Sequence, residues 1–405
     1  MNKPPHSSQS ALLPGATLGI IGGGQLGRYF VIAARKMGYD VAVLDPSADA
    51  PAMQLASYKI VAAYDDSDGL QQLAKLSDAV TIEFENVPFN SLVWLADKVP
   101  VAPSPECARI AQDRRIEKRV AKEHGLTPAP NATIESVSDI GSAIDATGVP
   151  AILKTATLGY DGKGQAVCES HSDVEAAFNA LNGVPCVLEK RIDLKLEVSV
   201  VLCRGQDGIS VCFPIAENVH VNGILDLSTA PAAIDDAMAE QVRAQAIKLA
   251  DGIDYVGVLG VEFFIAKDGI VYFNEMAPRP HNSGHYTLDA TASCQFEQQV
   301  RMLCGLPAGS ARLLTPVTML NILGDSWGGG DVSGKADGET SSNAVGDSLS
   351  DPNWGQVGSE ISAKLHLYGK VDARPGRKMG HINCLADSPE NSLATAERVR
   401  TALNR

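Results

Sequence analysis

The sequence predicts a mixed α/β and α+β protein: a parallel-sheet domain at the N-terminus, a glycine-loop lid, and an antiparallel sheet domain toward the C-terminus. Three observations predict it. Strand-type and helix-type segments alternate over residues 16–84, which is the signature of a parallel sheet covered by helices on both faces. From Leu188 onward, β-type runs follow one another with short turns between them, which is the pattern of antiparallel pairing. Two glycine clusters, Gly22–Gly27 and Gly159–Gln165, each follow an apolar run.

The elements follow in order. Ala16–Ile21 reads as the first strand, Gln25–Met37 as a helix, and Asp40–Leu44 as a second strand ending at Asp45-Pro46. Tyr58–Val61 and Ala79–Phe84 are further strands, and this domain spans 1–110. Ala108–His124 is charged and reads as one bridging helix. A lid unit spans 111–190, with short strands and one helix at Asp173–Leu181. A third unit spans 191–310, with strands at Glu197–Leu202 and Ser210–Ile215 and a helix at Asp236–Gly252. A small β-rich unit spans 311–405, and its Gly/Ser/Asp-rich stretch Ser326–Gly355 reads as a loop.

With 405 residues the chain is too long for one ordinary core. A net charge of −14 disfavours non-specific nucleic-acid binding, because phosphate repels such a surface. The 8 cysteines are scattered singly with no C-x-x-C, so reduced thiols and a cytoplasmic location are expected. Met1–Ala16 lacks the basic and apolar regions of a signal peptide and reads as a floppy lead-in. No apolar run reaches the roughly 20 residues of a membrane helix.

The most informative pair is Glu262 and Glu275. Asp268-Gly269 between two β-forming runs predicts a two-residue type I′ turn. Pairing Lys267 with Ile270 then sets Glu262 opposite Glu275, with side chains about 5 Å apart at Cβ. Like charges so placed destabilise a sheet, and a divalent cation between them removes that cost; hard oxygen ligands suit Mg²⁺ held with a nucleotide. Two solvated surface acids are the plain alternative.

Gly22-Gly23-Gly24-Gln25-Leu26-Gly27 fits G-x-G-x-x-G in a Rossmann-like setting, with Asp45 ending the next strand. Alone it suggests a nicotinamide or flavin enzyme. The physics asks only for a tight turn and a helix N-terminus that holds an anion, so Gln25 and Leu26 are equally candidates for contact with another phosphorylated substrate. Glu83-Phe84-Glu85-Asn86 ends a strand at the carboxyl edge of the sheet, where such sheets bind ligands. Lys154 closes an apolar run just before the loop Gly159-Tyr160-Asp161-Gly162-Lys163-Gly164-Gln165, which suits closure over polyphosphate but is no Walker A loop. Glu189-Lys190 and Glu197 sit at strand ends, where backbone can read a base and a carboxylate can accept ribose hydroxyls. Arg279, His281, Asn282 and His285 fall within seven positions, Arg279–His285, and mark an anion-handling site. Lys370, Arg377 and Lys378 form a basic cluster in an acidic chain, suited to a phosphate monoester.

In this order the motifs resemble the ATP-grasp superfamily, and more narrowly the 5-(carboxyamino)imidazole ribonucleotide synthases of purine biosynthesis. The matching pieces are Gly22–Arg28, Gln112-Asp113-Arg114, Gly159–Gln165, Asn274–His285, Tyr368-Gly369-Lys370 and Gly376–His381. The resemblance implies ATP contacts at Arg114, Lys154, the Gly159–Gln165 loop, Glu189, Lys190, Arg191, Ile192, Glu197, His220, Asn274 and Glu275. It implies Mg²⁺ at Glu262 and Glu275, and 5-aminoimidazole ribonucleotide on Gln25, Leu26, Glu83, Lys370, Arg377 and Lys378. Bicarbonate handling is implied for Arg279, His281 and Asn282, and the working form is implied to be a homodimer. The Ser326–Gly355 stretch departs from the pattern by its length.

The expected reaction is ATP- and bicarbonate-dependent carboxylation of an amine through carboxyphosphate. Three rivals remain: a formate-dependent glycinamide ribonucleotide transformylase of the same superfamily, an NAD-dependent oxidoreductase, and a non-catalytic ATP-binding regulator.

Overall fold

The computed structural model describes residues 10–159, 162–328 and 351–403. The expectations for Tyr160 and Asp161, for Met1–Gln9, and for most of the Ser326–Gly355 stretch fall outside them.

The first sheet has four parallel strands in the order Tyr58–Val61, Asp40–Asp45, Thr17–Ile21, Ala79–Ile82. Alternation decides its layers. Leu18, Ile20, Val41 and Val43 face Tyr29, Phe30 and Val31 of the helix Gln25–Lys36. Ile21, Ala42 and Leu44 face Leu70 and Leu73 of Ser67–Leu76, and Leu92 and Leu95 of Phe89–Ala96. Strands covered on both faces are apolar at nearly every position, as parallel sheets require. The described part of the lead-in is tied down rather than floppy. The Leu12 N–H donates to Cys304 O at 2.9 Å, and the Tyr39 hydroxyl donates to Leu12 O at 2.8 Å.

The expected bridging helix is two helices, Pro105–Gln112 and Arg114–Glu123. Asp113 breaks them. Its backbone is extended, and its carboxylate accepts from the Arg115 N–H at 2.9 Å, so capping a new helix wins over continuing the old one.

The lid sheet has four antiparallel strands in the order Asn131–Ile134, Cys186–Lys190, Ala151–Thr155, Gln165–Cys168. It carries two helices, Ile140–Thr147 and His171–Ala180, where one was expected. Gly141 and Gly148 mask the first in the sequence, yet Ile140, Ala143 and Thr147 are buried at helical spacing.

Among the described residues, the third sheet has nine strands and is antiparallel throughout. Leu194–Arg204 and Gly257–Ala266 run longer than a typical strand and pair along their length. The strand expected at Ser210–Ile215 stops at Cys212. The C-terminal strands Ala363–Leu367 and Lys378–Leu385 continue this same sheet, and the tail then closes with a helix, Pro389–Leu403, that the sequence reading omitted. That helix buries Ala396, Val399 and Leu403 against Leu320, Ile322 and Ile382. At the border of the polar stretch, Trp354–Gly358 is helical, and Trp327 meets Trp354 edge-on at 5.5 Å.

Replacing Asp113 with Ala removes the cap between the two bridging helices. Urea denaturation should show a loss of about 1 kcal/mol.

Candidate active site

The hairpin Gly257–Ala266/Val271–Ala277 places the acid pair, by a different route from the one expected. Its turn has three residues, not two. The Ala266 N–H donates to Ile270 O and the Gly269 N–H to Ala266 O, both at 2.9 Å, and within the turn only Gly269 has positive φ, at 85°. A type I′ turn would need positive φ at Asp268 as well. The longer turn shifts the register by one, so that Ile265 pairs with Val271 and Phe263 with Phe273. A β-bulge at Asn274 then restores the pairing of Glu262 with Glu275. Such a bulge re-aims a side chain that alternation would send to the other face. Asn274 and Glu275 therefore both line the cleft, beside Glu262.

That cleft has a volume of about 900 Å³ and is lined from all three sheets. From the first come Gln25, Leu26, Glu83 and Glu85; from the helix Arg114–Glu123, Arg114 and Glu117; from the lid, Lys154, Gly159, Gly162, Lys163, Gly164 and Gln165. The large sheet and its loops contribute Glu197, His220, Glu262, Asn274, Glu275, Arg279, His281, Asn282, Lys370, Arg377 and Lys378. Apolar walls come from Ile152, Ile224, Leu225, Phe264 and Met276. Of the candidates, Glu189, Lys190, Arg191 and Ile192 are not among the side chains lining the cleft: Glu189 is buried beside Lys154, while Lys190 and Arg191 are exposed, with Arg191 paired to Glu169 at 2.5 Å.

Electrostatics sorts the acids. Burial, then the neighbouring Glu275 carboxylate, pushes Glu262 well above the usual carboxylate range. Burial pushes Glu275 the same way, but Arg114, Lys154 and Lys118 outweigh it and hold Glu275 well below. Arg114 donates to Glu275 at 2.9 Å. Lys154 lies 2.9 Å and Lys118 3.3 Å from the two oxygens of buried Glu189. The Asn274 amide nitrogen donates to Glu262 at 3.1 Å, leaving its buried Oδ1 without a partner. Two carboxylates and this orphaned carbonyl oxygen are a hard-oxygen donor set and fit Mg²⁺. Among the described residues, no group of three or more His, Cys, Asp or Glu side chains is placed to hold a metal ion. Phosphate oxygens are the natural remaining ligands.

His220 pairs with Glu197 at 2.5 Å. Burial pulls its imidazole down, but the Glu197 hydrogen bond and the charges of Glu262, Glu197 and Glu275 more than reverse this and raise it to about 9. Arg279 is held by Glu85 at 2.7 Å. Burial, then the Arg279 charge, drops His281 to about 3, so its ring is neutral. Its Nδ1 meets the Ser283 hydroxyl at 2.8 Å, and its Nε2 lies 3.4 Å from Glu262. The backbone of Gly260 makes room for that ring: a Cβ there would lie 2.7 Å from His281 Cβ. Beside it, the buried Asn282 amide has neither atom hydrogen-bonded.

The Gly22–Gly27 turn holds an anion, and the anion is the chain's own Glu83. Its carboxylate accepts from the N–H groups of Gly24 and Leu26, while Asp45 accepts from the Gly23 N–H at 2.7 Å. A Cβ on Gly24 would reach Glu83 Oε1 at 2.3 Å, so no room remains there for a pyrophosphate. This removes the basis for the NAD reading. Across the cleft, Lys370 donates to Gln25 and to Lys378 O, both at 2.7 Å, which joins the tail to the first sheet.

Glu117 and Lys118 escaped the sequence reading. Arg114, Glu117 and Lys118 have i, i+3, i+4 spacing, so the helix that aims Arg114 at Glu275 aims these two at the same strand. Burial raises Glu117 to about 8 despite Lys118 and Arg114.

A parallel-sheet domain, a glycine-loop lid and an acid-bearing antiparallel sheet around one cleft define an ATP-grasp enzyme. Matches to three protein families cover this chain: the ribonucleotide synthetase preATP-grasp domain at 15–112, the ATP-grasp domain at 119–296, and the phosphoribosylaminoimidazole carboxylase C-terminal domain at 317–395. The N5-carboxyaminoimidazole ribonucleotide synthase of Brucella melitensis is 44% identical over 376 residues, covering 92% of this chain and 97% of the relative. That of Bacillus subtilis is 40% identical over 375 residues and 93% of each. Among solved structures, an ADP complex of an N5-carboxyaminoimidazole ribonucleotide synthetase superposes with a TM-score of 0.87 at 42% identity, over 96% of this chain and 97% of that one. The Aspergillus clavatus enzyme in complex with ADP and 5-aminoimidazole ribonucleotide gives 0.84 at 29% identity, over 96% and 99%. The chain belongs to the N5-carboxyaminoimidazole ribonucleotide synthase family, and it is an ATP-dependent carbon–nitrogen ligase of purine biosynthesis.

Because His220 is raised from 6.5 to about 9 on folding, its pair with Glu197 stabilises the protein fully below 6.5 and loses that effect as pH rises through 9. Denaturation profiles should show wild type losing more stability than His220→Gln over that interval.

Proposed function

We propose that this enzyme carboxylates the amine of 5-aminoimidazole ribonucleotide, using bicarbonate and ATP and passing through carboxyphosphate. What supports the reading is one cleft with two chemically distinct ends. One end carries the Glu262–Asn274–Glu275 oxygens with Lys154 and Arg114, and the other carries Lys370, Arg377 and Lys378 against Gln25 and Glu83. The first end suits a nucleotide polyphosphate, and the second a ribose phosphate. The same cleft carries Arg279, His281 and the unpaired amide of Asn282, with His281 within electrostatic reach of both Glu275 and Lys378, where an oxyanion has donors to meet.

The chemistry follows from charge and position. Bicarbonate oxygen attacks the γ-phosphorus of ATP and expels ADP, giving carboxyphosphate. The exocyclic amine then attacks its carbonyl carbon and phosphate leaves, so the carbamate forms as the amine loses a proton. Arg279 and Asn282 hold the anionic intermediate, and Lys154 offsets phosphate charge. Glu262 and Glu275, with Asn274 Oδ1, would hold Mg²⁺, which supplies charge neutralisation on the phosphate oxygens. The backbone of 189–192 and the apolar wall beside it suit the base, and Glu197 with His220 suits the ribose. The Gly159–Gln165 loop excludes water from the labile intermediate. We assign the working form as a cytoplasmic homodimer, on family resemblance alone.

Phosphate release should require bicarbonate together with 5-aminoimidazole ribonucleotide. Release driven by formate and glycinamide ribonucleotide would overturn the reading. Glu275→Gln should cut turnover at least about 100-fold with little change in melting temperature. Arg377→Ala should raise the KM for 5-aminoimidazole ribonucleotide far more than that for ATP, and a selective effect on ATP would refute its phosphate role.

A further inference from the structure

The metal-facing bulge lies on an exposed kind of backbone. Val271–Ala277 is an edge strand of the large sheet, with the Gly257–Ala266 strand as its sheet neighbour on one side only. A bulge also interrupts the ladder where it occurs, so nothing in the sheet itself fixes the shape of Asn274-Glu275. The open side is closed by the backbone of Thr127-Pro128 at Phe273 and by side chains at the bulge. Glu117 Oε1 accepts from the Met276 N–H at 2.7 Å, and Lys118 Nζ donates to Asn274 O. These bonds fall on the residues immediately before and after Glu275. Both side chains are buried, at 3% and 2% exposure, so neither bond is shared with solvent. The Lys118 ammonium also lies 5.5 Å from the Phe273 ring, and the Phe273 N–H donates to Thr127 O at 2.8 Å.

We propose that Glu117 and Lys118 are positioning residues that hold the Asn274–Glu275 bulge in the shape that turns both side chains toward the metal-binding oxygens of Glu262. Consecutive residues of one helix grip one strand at two points, and they do so without touching the metal. Partners one step behind metal ligands tune affinity by about 10- to 100-fold. The inference rests on the assignment of Mg²⁺ to Glu262 and Glu275.

The test is calorimetric affinity for ADP with Mg²⁺ and for ADP in chelator, on the full-length enzyme, with melting of the nucleotide-free protein as a second readout. Glu117→Leu should weaken Mg²⁺-ADP binding at least about 10-fold while changing metal-free ADP binding less than about 2-fold; Lys118→Met, which also releases Glu189, should weaken Mg²⁺-ADP binding as much, with a smaller metal-free loss. Glu117→Gln retains a carbonyl oxygen for the Met276 N–H and should bind Mg²⁺-ADP nearly as wild type does. Equal losses with and without metal, no loss, or a Gln variant as impaired as the Leu variant would overturn the proposal. Failure of both Glu117→Leu and Lys118→Met to fold would likewise assign the pair a purely structural role. Glu275→Gln, measured in parallel, separates the two layers. If it retains the metal dependence, the metal assignment itself fails; if it loses it and Glu117→Leu does not, only the positioning role fails.

Discussion

Two carboxylates face each other across neighbouring strands in one cleft, and the rest of the site answers that repulsion. Glu262 and Glu275 share a register, and burial sharpens the cost of charging both. The protein resolves it asymmetrically. Arg114 with Lys154 and Lys118 holds Glu275 ionised, which leaves Glu262 the member of the pair that takes up a proton more readily. Under the proposed metal assignment, a cation held by Glu262 and Glu275 would take the place of that proton. The pair is unfavourable in its doubly ionised state, and the proposed metal would relieve that cost.

The same sequence motif does different work in the first domain. A glycine turn at a helix N-terminus attracts an anion wherever it occurs, but here the anion is supplied internally by Glu83. Burial, the largest influence on that carboxyl, raises it, while the backbone N–H groups of Gly24 and Gly27 oppose the rise. The turn is therefore a scaffold for Gln25, Glu83 and Lys370, which meet at the junction of the first sheet and the tail. An oxidoreductase reading of the motif rests on an open turn, and this one is filled.

Much of this was legible in the sequence because it rests on local pattern. The alternating strands of the first domain, the helix Asp236–Gly252 and the Glu262–Glu275 pairing follow from periodicity and turn residues. The pairing, however, survived two offsetting errors. The turn is one residue longer than Asp-Gly suggests, and the bulge at Asn274 absorbs the extra residue. Nothing in the local residue pattern announces a bulge. Likewise, that the tail strands extend the large sheet depends on pairing Val317–Leu323 with Lys378–Leu385, a contact remote in sequence. Glu117 and Lys118 were missed for a simpler reason: in a charged helix they look like a solvated face, and only tertiary packing buries them. The match of the motif order to known synthases carried what periodicity could not, namely the family to which the chain belongs.

The central claim is that the acid pair is completed by a metal carried with nucleotide. Carbon-13 NMR of the Glu262 carboxyl across a pH titration tests it most directly. Without ligand, this carboxyl should titrate well above the usual glutamate value of about 4.3. With saturating Mg²⁺-ADP, its midpoint should fall below that value, while ADP in chelator should leave it raised. A midpoint that does not move when Mg²⁺ is added with ADP would contradict the account.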